Sequence, residues 1–311
     1  MSGFRFGVNV NDASYGKGIV VIEDAETLGD AHAEEISERL ASVFRSPEYT
    51  PPVLPAAAIE VHRLSQTKDA QIEQILSALE KDPLLAARVL KVASSPVYGG
   101  QQVQSLQNAV MRLGMRTLAA LVWEVALNMK VFRCKAYEGV METVRRHSTA
   151  TAYVARVIAK QTPVPLEYAF LCGLLHDVGA AAALLLLGEG GSNSGAKALS
   201  GEVLQIILKK SHAEGSQLVA KLWGLPVDVQ LVLANHHNVS VQGYAHPTAA
   251  IIAIAELVLR EEAGKAAQGL DWDDTHDHAL IAARDALSIT PKTMEAIRKD
   301  ARQIMAKLEK S

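Results

Sequence analysis

Two cysteines, Cys134 and Cys172, stand in a chain of 311 residues, too few for a disulfide framework or a cysteine-based zinc site. Aromatic residues supply only 5% of the sequence, which argues for helix packing over sheets. Basic charge is not in excess: 31 Lys and Arg stand against 34 Asp and Glu, a formal net charge of −3. That balance excludes the positive surface of a general nucleic-acid or membrane-surface binder. The longest apolar run, around Gly179 to Leu187, is shorter than the roughly 20 residues of a membrane span. The opening residues, Met1 to Gly18, lack the basic and apolar regions of a secretion signal. The expectation is a soluble, cytoplasmic protein with neither nucleic acid nor membrane as partner.

Hydrophobic residues make up 49% of the chain and charged residues 21%, enough to bury a core and to exclude whole-chain disorder. Residues 1–24 are Gly-rich, and Gly18-Ile-Val-Val-Ile22 reads as one short strand. A polar helix is expected from about Ala31 to Val43. The prolines of Ser46-Pro-Glu-Tyr-Thr-Pro-Pro-Val-Leu-Pro55 make an extended linker, because each disfavours the helical region for its predecessor. From Pro55 to Met129 short helices follow one another. Ile72, Ile75, Leu76 and Leu79 recur at i, i+3, i+4 and i+7, and Asp82-Pro83 starts the next helix. Residues 115–129 are apolar on nearly every side and predict a buried helix. A second group of helices runs from about Tyr137 to Leu259, interrupted by a loop at Gly188 to Gly195. The tail ends in a charged helix, Pro291 to Glu309. All-α is therefore the expected class, in three parts: an extension and linker at 1–50, a helical domain at 51–260 divided near 132/133, and a tail at 261–311.

Several histidines fall on inward faces once these helices are drawn. His147 lies on the stripe of Val140, Val144, Thr151 and Val154. In the next helix, with Pro165 at its start and Gly179 as its stop, Asp177 continues the stripe of Leu166, Phe170 and Gly173, with His176 beside it. An Asp on an apolar stripe costs several kcal/mol unless it is paired, hydrogen-bonded or metal-bound. Ser211-x-x-Glu214 has the form of a capping box, placing His212 in a first turn. Val229, Val232, Leu233 and His236 form another stripe, with His237 alongside, and Glu256 is the lone charge between Ala245 and Leu259. Mixed imidazole and carboxylate donors suit manganese, iron, zinc or nickel better than magnesium. His176 and Asp177 could serve one ion from opposite sides or bridge two. His32, His62, His276 and His278 read as surface residues, Trp123 and Trp223 as packing anchors, and Lys209-Lys210 as a helix-end charge pair.

Gly173-Leu-Leu-His-Asp-Val-Gly179, with His147 before it and His212 and His236-His237 after it, resembles the HD superfamily of metal-dependent phosphohydrolases. The preceding half is more specific. Leu54-Pro55, Leu79-Glu-Lys-Asp-Pro-Leu-Leu-Ala-Ala-Arg-Val-Leu90, Ser94-Ser-Pro-Val-Tyr98 and Leu106-Gln-Asn-Ala-Val-Met-Arg-Leu-Gly114 resemble the HDOD domain, the HD-related output domain of bacterial signalling proteins. The resemblance spans roughly 50–260. It implies an HD-like helical fold with an extra N-terminal helical lobe, and a role in signal transduction. It also places His147, His176, Asp177, His212, His236 and His237 at ligand positions, with Glu256 where the superfamily has a final aspartate. The cyclic-dinucleotide hydrolases of that superfamily carry a lysine just after the HD pair, where this chain has Ala180. Their Gly-Tyr-Pro signature has no counterpart beyond Gly243-Tyr-Ala-His-Pro247.

Three functions fit. The resemblance favours a non-catalytic regulatory module that answers to a small-molecule effector or a signalling protein. The donor set suggests instead a metal-dependent phosphohydrolase acting on a nucleotide or phosphoester, with Asp177 orienting a nucleophile and Arg145 and Arg146 meeting the anion. A purely structural helical adaptor would leave the histidines as hydrogen-bonded relics.

Overall fold

The computed structural model describes residues 30–67, 70–194, 199, 201–241, 243–262 and 277–310. Among them the chain is all-α, apart from a short antiparallel hairpin that pairs β1 (Ser240–Val241) with β2 (Tyr244–Ala245). The expected strand at Gly18–Ile22 and His276 lie outside the described residues.

The N-terminal lobe gathers α2 (Ala56–Ser65), α3 (Ile72–Glu80), α4 (Pro83–Ala93) and α5 (Leu106–Leu113) about α6 (Met115–Lys130). Local chemistry sets their limits. Asp82 caps α4 by accepting from the Leu85 amide at 3.0 Å, with Pro83 in the first turn where no N–H is needed. Ser105 caps α5 through the Asn108 amide at 3.1 Å. The apolar helix expected at 115–129 is α6, buried on nearly all sides, Glu124 included. Trp123 and Trp223 are packing anchors, their rings 5.8 Å apart, and the Trp223 indole donates to the Pro52 carbonyl at 3.0 Å. His62 is not a surface residue. It stands edge-on to Trp123 at 5.5 Å, and burial lowers its pKa.

The second lobe is arranged along α7 (Glu138–Ala159), which packs on α8 (Leu166–Leu175), on α12 (Pro247–Glu262) and on the last helix, α14 (Pro291–Leu308). Next come α9 (Val178–Ser194), laid on α10 (Gly201–Leu222), then α11 (Val227–Asn235), while α13 (Asp277–Ala286) leans on α12. The first helix, α1 (Asp30–Arg45), also packs on α10, burying Ala33, Ile36, Leu40 and Phe44. The segment Leu166–Gly188 is long and apolar enough to cross a membrane by length and composition, beyond the run expected from sequence, but 94% of its 18-residue apolar window is buried inside the protein.

Four expectations about helix ends are overturned. Ser211-x-x-Glu214 is not a capping box: both residues lie inside α10, where Ser211 Oγ donates to the Ile207 carbonyl at 2.8 Å and Glu214 accepts a forked pair of bonds from Arg45. The apolar residues upstream, Val203, Leu204, Ile207 and Leu208, continue the buried stripe and carry the helix through. Lys209-Lys210 is accordingly mid-helix, and Lys210 pairs with Glu34 rather than with a helix end. Gly179 does not stop a helix; it sits in the first turn of α9. The loop expected at Gly188–Gly195 is helical as far as Ser194, since backbone hydrogen bonding propagates from the buried Ala-Leu segment before it.

Candidate metal centre

Two close helix contacts position the centre. A β-carbon on Gly173 would come to 2.9 Å from Ala152 Cα and 3.0 Å from the Thr151 carbonyl oxygen; the missing side chain lets α8 lie directly on α7. A β-carbon on Gly179 would overlap the His212 carbonyl oxygen and the Ser216 nitrogen, and would reach 2.7 Å from Gly215 C. Here α9 touches the α10 backbone, and the Gly179 N–H donates to Ser216 Oγ at 2.8 Å. His176 and Asp177 occupy the turn between these two contacts.

Around that turn seven side chains converge. His176 Nε2 lies 3.2 Å from His147 Nε2, 3.3 Å from Asp177 Oδ2 and 3.2 Å from Glu256 Oε1. His147 Nε2 is 3.8 Å from Asp177 Oδ2 and 3.9 Å from Glu256 Oε1. On the other side of Asp177, Oδ1 is 3.7 Å from His212 Nε2 and 3.8 Å from His236 Nε2, and His212 Nε2 is 2.7 Å from His237 Nε2. Asp177 therefore links two donor groups: His147 and His176, which also meet Glu256, face one of its oxygens, and the pair His212 and His236, with His237 beyond, faces the other.

Hydrogen bonds on the far side of the rings orient three of the imidazoles. The Nδ1 atoms of His176, His212 and His236 meet the carbonyls of Gly173, Leu208 and Leu233 at 2.8, 2.9 and 2.7 Å. Each ring thus donates Nδ1–H to the backbone and turns Nε2 toward Asp177, the arrangement that fixes a metal-ligating histidine. Burial opposes charge on His176, yet Asp177 and Glu256 beside it hold its pKa well above the usual value. Burial likewise opposes charge on the two carboxyls, but imidazoles keep both well below their usual range: His176, His212 and His147 act on Asp177, and His147 and His176 on Glu256. His212 and His236 are lowered, chiefly by burial and then, for His236, by His237. The two carboxylates stay ionised and the imidazoles facing Asp177 Oδ1 stay neutral.

The donor set fits a transition metal. Asp177 Oδ1, His236 Nε2 and Glu256 Oε2 are buried without a hydrogen-bond partner, an arrangement that is costly unless something binds them. Bonds of about 2.1 Å to one ion place neighbouring donors roughly 3.0–3.4 Å apart, close to the spacings around His176. His147, His176 and Asp177 form one trio within 4.8 Å, and His212, His236 and His237 a second.

The HDOD domain family matches residues 52–239. The chain belongs to the HDOD family. Its fold is similar to that of a candidate metal-dependent phosphohydrolase from Shewanella amazonensis, with 18% identity, 89% of this chain and 99% of that chain covered, and a TM-score of 0.66. An HDOD domain protein of unknown function from Geobacter sulfurreducens shares 22% identity over 89% of this chain and 94% of that chain, with a TM-score of 0.60. A candidate signal transduction protein from Marinobacter aquaeolei shares 20% identity over 91% of this chain and 66% of its own, with a TM-score of 0.64. At these identities the likeness establishes the fold. No curated protein matches the sequence.

In this HDOD protein the structure brings together His147, His176, Asp177, His212, His236, His237 and Glu256, from five separate segments. It does not bring Arg145 and Arg146 to them. Both line a separate cavity beside α14, and Arg145 pairs with Glu142. Sequence reasoning missed a third buried carboxyl, Glu124, which accepts from the Tyr153 hydroxyl at 2.9 Å; that hydroxyl also meets Tyr98 OH at 3.2 Å, and Arg156 covers both rings. The signal was available: Glu124 is the lone charge between Thr117 and Met129, as Glu256 is between Ala245 and Leu259.

Proposed function

We propose that this HDOD protein is a cytoplasmic signal-transduction module that holds a buried metal centre and regulates a partner rather than turning over a substrate. Its input is a small-molecule effector or a signalling protein. The observation that carries this reading is the enclosure of the centre. Five of the seven donors are no more than 3% exposed, and His147 is 12% exposed at its side chain. Burial of that degree favours an ion held between the donors over a phosphoester exchanging with solvent at Asp177. The residues that would hold manganese, iron, zinc or nickel are His147, His176, Asp177 and Glu256 on one side, and His212, His236 and His237 on the other. When bound, the metal would supply positive charge between two buried carboxylates and a cross-link among five helical segments. The chain's own part is orientation: backbone carbonyls fix the rings, and Gly173 and Gly179 fix the turn. The thiols of Cys134 and Cys172, neither joined in a disulfide, suit a reducing compartment.

One observation favours a second reading, hydrolysis of a phosphoester. The donor set is complete, and the Shewanella relative is described as a candidate metal-dependent phosphohydrolase. Against it, Ala180, where the cyclic-dinucleotide hydrolases carry a lysine, is fully buried in α9 and leaves no room for a cationic arm. The test is elemental analysis of protein purified without chelators. Turnover assays with nucleotides, cyclic dinucleotides and a chromogenic phosphodiester follow, with each metal added. Bound metal without turnover supports the module. Turnover lost in both His176→Ala and Asp177→Ala replaces it with the hydrolase.

A further inference from the structure

A cavity of about 570 Å³ opens where α4 and α6 of the N-terminal lobe, α7 and α14 meet. That volume suits a small-molecule ligand. None of the seven residues of the metal centre lines it. Its walls carry five cations, Lys91, Arg145, Arg146, Arg302 and Lys310, against the three carboxyls of Glu124, Glu262 and Glu309. Arg145 is engaged by Glu142, and Arg302 by Glu262 at 2.7 Å. Lys91, Arg146 and Lys310 have no carboxylate within ion-pair distance among the described residues, so three cations are available to an incoming anion.

The walls add a second requirement. Val92, Pro96, Ala150, Met305 and Leu308 give the cavity apolar surface, suited to the face of a ring. Ser95 Oγ, Asn128 Oδ1 and Thr149 Oγ1 belong to lining residues but are closed to solvent, so they do not reach the open space. Unengaged cations together with an apolar face describe a phosphorylated molecule with a flat body.

We infer that this cavity binds a nucleotide or a comparably sized phosphorylated small molecule, with Lys91, Arg146 and Lys310 on the phosphate and the apolar surfaces of Val92, Pro96, Ala150, Met305 and Leu308 against the body. The site joins the lobes to the C-terminal helix. The helix α14 lies outside the segment matched to the HDOD family, and Arg298 and Arg302 clamp it to Glu261 and Glu262 of α12 at 2.8 and 2.7 Å. A ligand there would tighten α14 against the N-terminal lobe, which makes the cavity an effector site distinct from the metal centre.

The experiment is titration calorimetry on the full-length protein with GMP, AMP and CMP. Guanosine, inorganic phosphate and citrate serve as controls. At least one nucleotide is expected to bind at micromolar concentration, with guanosine and phosphate each at least about tenfold weaker and binding weakened by added salt. Arg146→Ala and Lys91→Ala should each weaken binding about tenfold or more, as expected for loss of a charge-assisted contact. Ala306→Phe, on the exposed face of α14 beside the cavity, should block binding without removing a charge. Asp177→Ala should leave binding intact. The inference is overturned if no nucleotide binds below about 1 mM. Citrate or phosphate binding as tightly as the nucleotides overturns it too. So does insensitivity to both Arg146→Ala and Ala306→Phe, or loss of binding in Asp177→Ala, which would move the ligand to the metal centre.

Discussion

Replacing Gly179 by alanine tests how the metal centre is positioned, because a single methyl group would enter the contact between α9 and α10. The new β-carbon would meet backbone on every side: the His212 carbonyl oxygen, the Ser216 nitrogen and Gly215 C, the last at 2.7 Å. None of these atoms can swing aside as a flexible side chain would. Ordinary contact requires about 3.4 Å or more, so the helices must part by roughly an ångström. Overpacking of this kind typically costs about 1–3 kcal/mol, and the rigid neighbours place Gly179→Ala at the upper end. Parting the helices also lengthens the 2.8 Å bond from the Gly179 amide to Ser216 Oγ and loosens Phe44, which packs on Gly215. A loss near 3 kcal/mol is a large share of the roughly 5–15 kcal/mol that holds a typical domain together. Urea unfolding of three variants gives the check. Gly179→Ala should be the least stable, with an unchanged m-value. Gly173→Ala, whose β-carbon would reach 2.9 Å from Ala152 Cα, should lose less, about 1–2 kcal/mol. Gly139→Ala has no neighbour within 4 Å in the first turn of α7 and should be neutral or gain up to ~1 kcal/mol. Gly179→Ala within about 0.5 kcal/mol of the parent would refute the claim that bare backbone contact sets the spacing of α9 and α10.

Adding manganese, iron, zinc or nickel at a hundredfold excess over Kd should stabilise the protein by about 2.7 kcal/mol, seen as a rise in Tm of roughly 5 °C or more; Asp177→Ala should abolish that rise, and its persistence would place the ion elsewhere. Burial pushes the Glu124 carboxyl up to about 7, so its protonated form favours the folded state. That contribution is complete below the unfolded value near 4.5 and lost as pH rises through about 7. Glu124→Gln should therefore match the parent near pH 4.5 and exceed it at about pH 8 by roughly 2–3 kcal/mol in urea melts, whereas an equal difference at both pH values would contradict the shift. Tyr153→Phe removes the hydroxyl that donates to Glu124 and should cost about 1–3 kcal/mol, more in alkaline than in acid solution; a cost independent of pH would disconnect the two groups.

Helix periodicity is a local property, and it made most of the elements legible before any tertiary contact was known. The stripe of Ile72, Ile75, Leu76 and Leu79 became α3, Asp82-Pro83 started α4, and the all-round apolar segment became α6. The same periodicity exposed the donors, because Asp177 and Glu256 stood alone among apolar neighbours and His147 and His236 lay on stripes facing inward. Patterns that occur in two contexts misled: Ser-x-x-Glu marks a helix start only where the chain upstream is not already helical, and α10 was helical from Gly201. Glycine misled for a related reason, since at Gly179 its value lies in the close approach of a helix distant in sequence rather than in freedom to turn.

What the sequence alone determined, then, is which residues form helices and which face of each is apolar, for both depend on spacing within a few turns. Only the tertiary structure decided that five such segments meet around Asp177, and that His212 and His236 take one oxygen while His147 and His176, which Glu256 also meets, take the other. It alone carried Arg145 and Arg146 to a different cavity, closed by a helix about 150 residues further along the chain. Those outcomes depend on how far apart and at what angle helices pack, and that is set by small contacts such as Gly173 on Ala152 and Gly179 on Gly215, between positions that no local period connects.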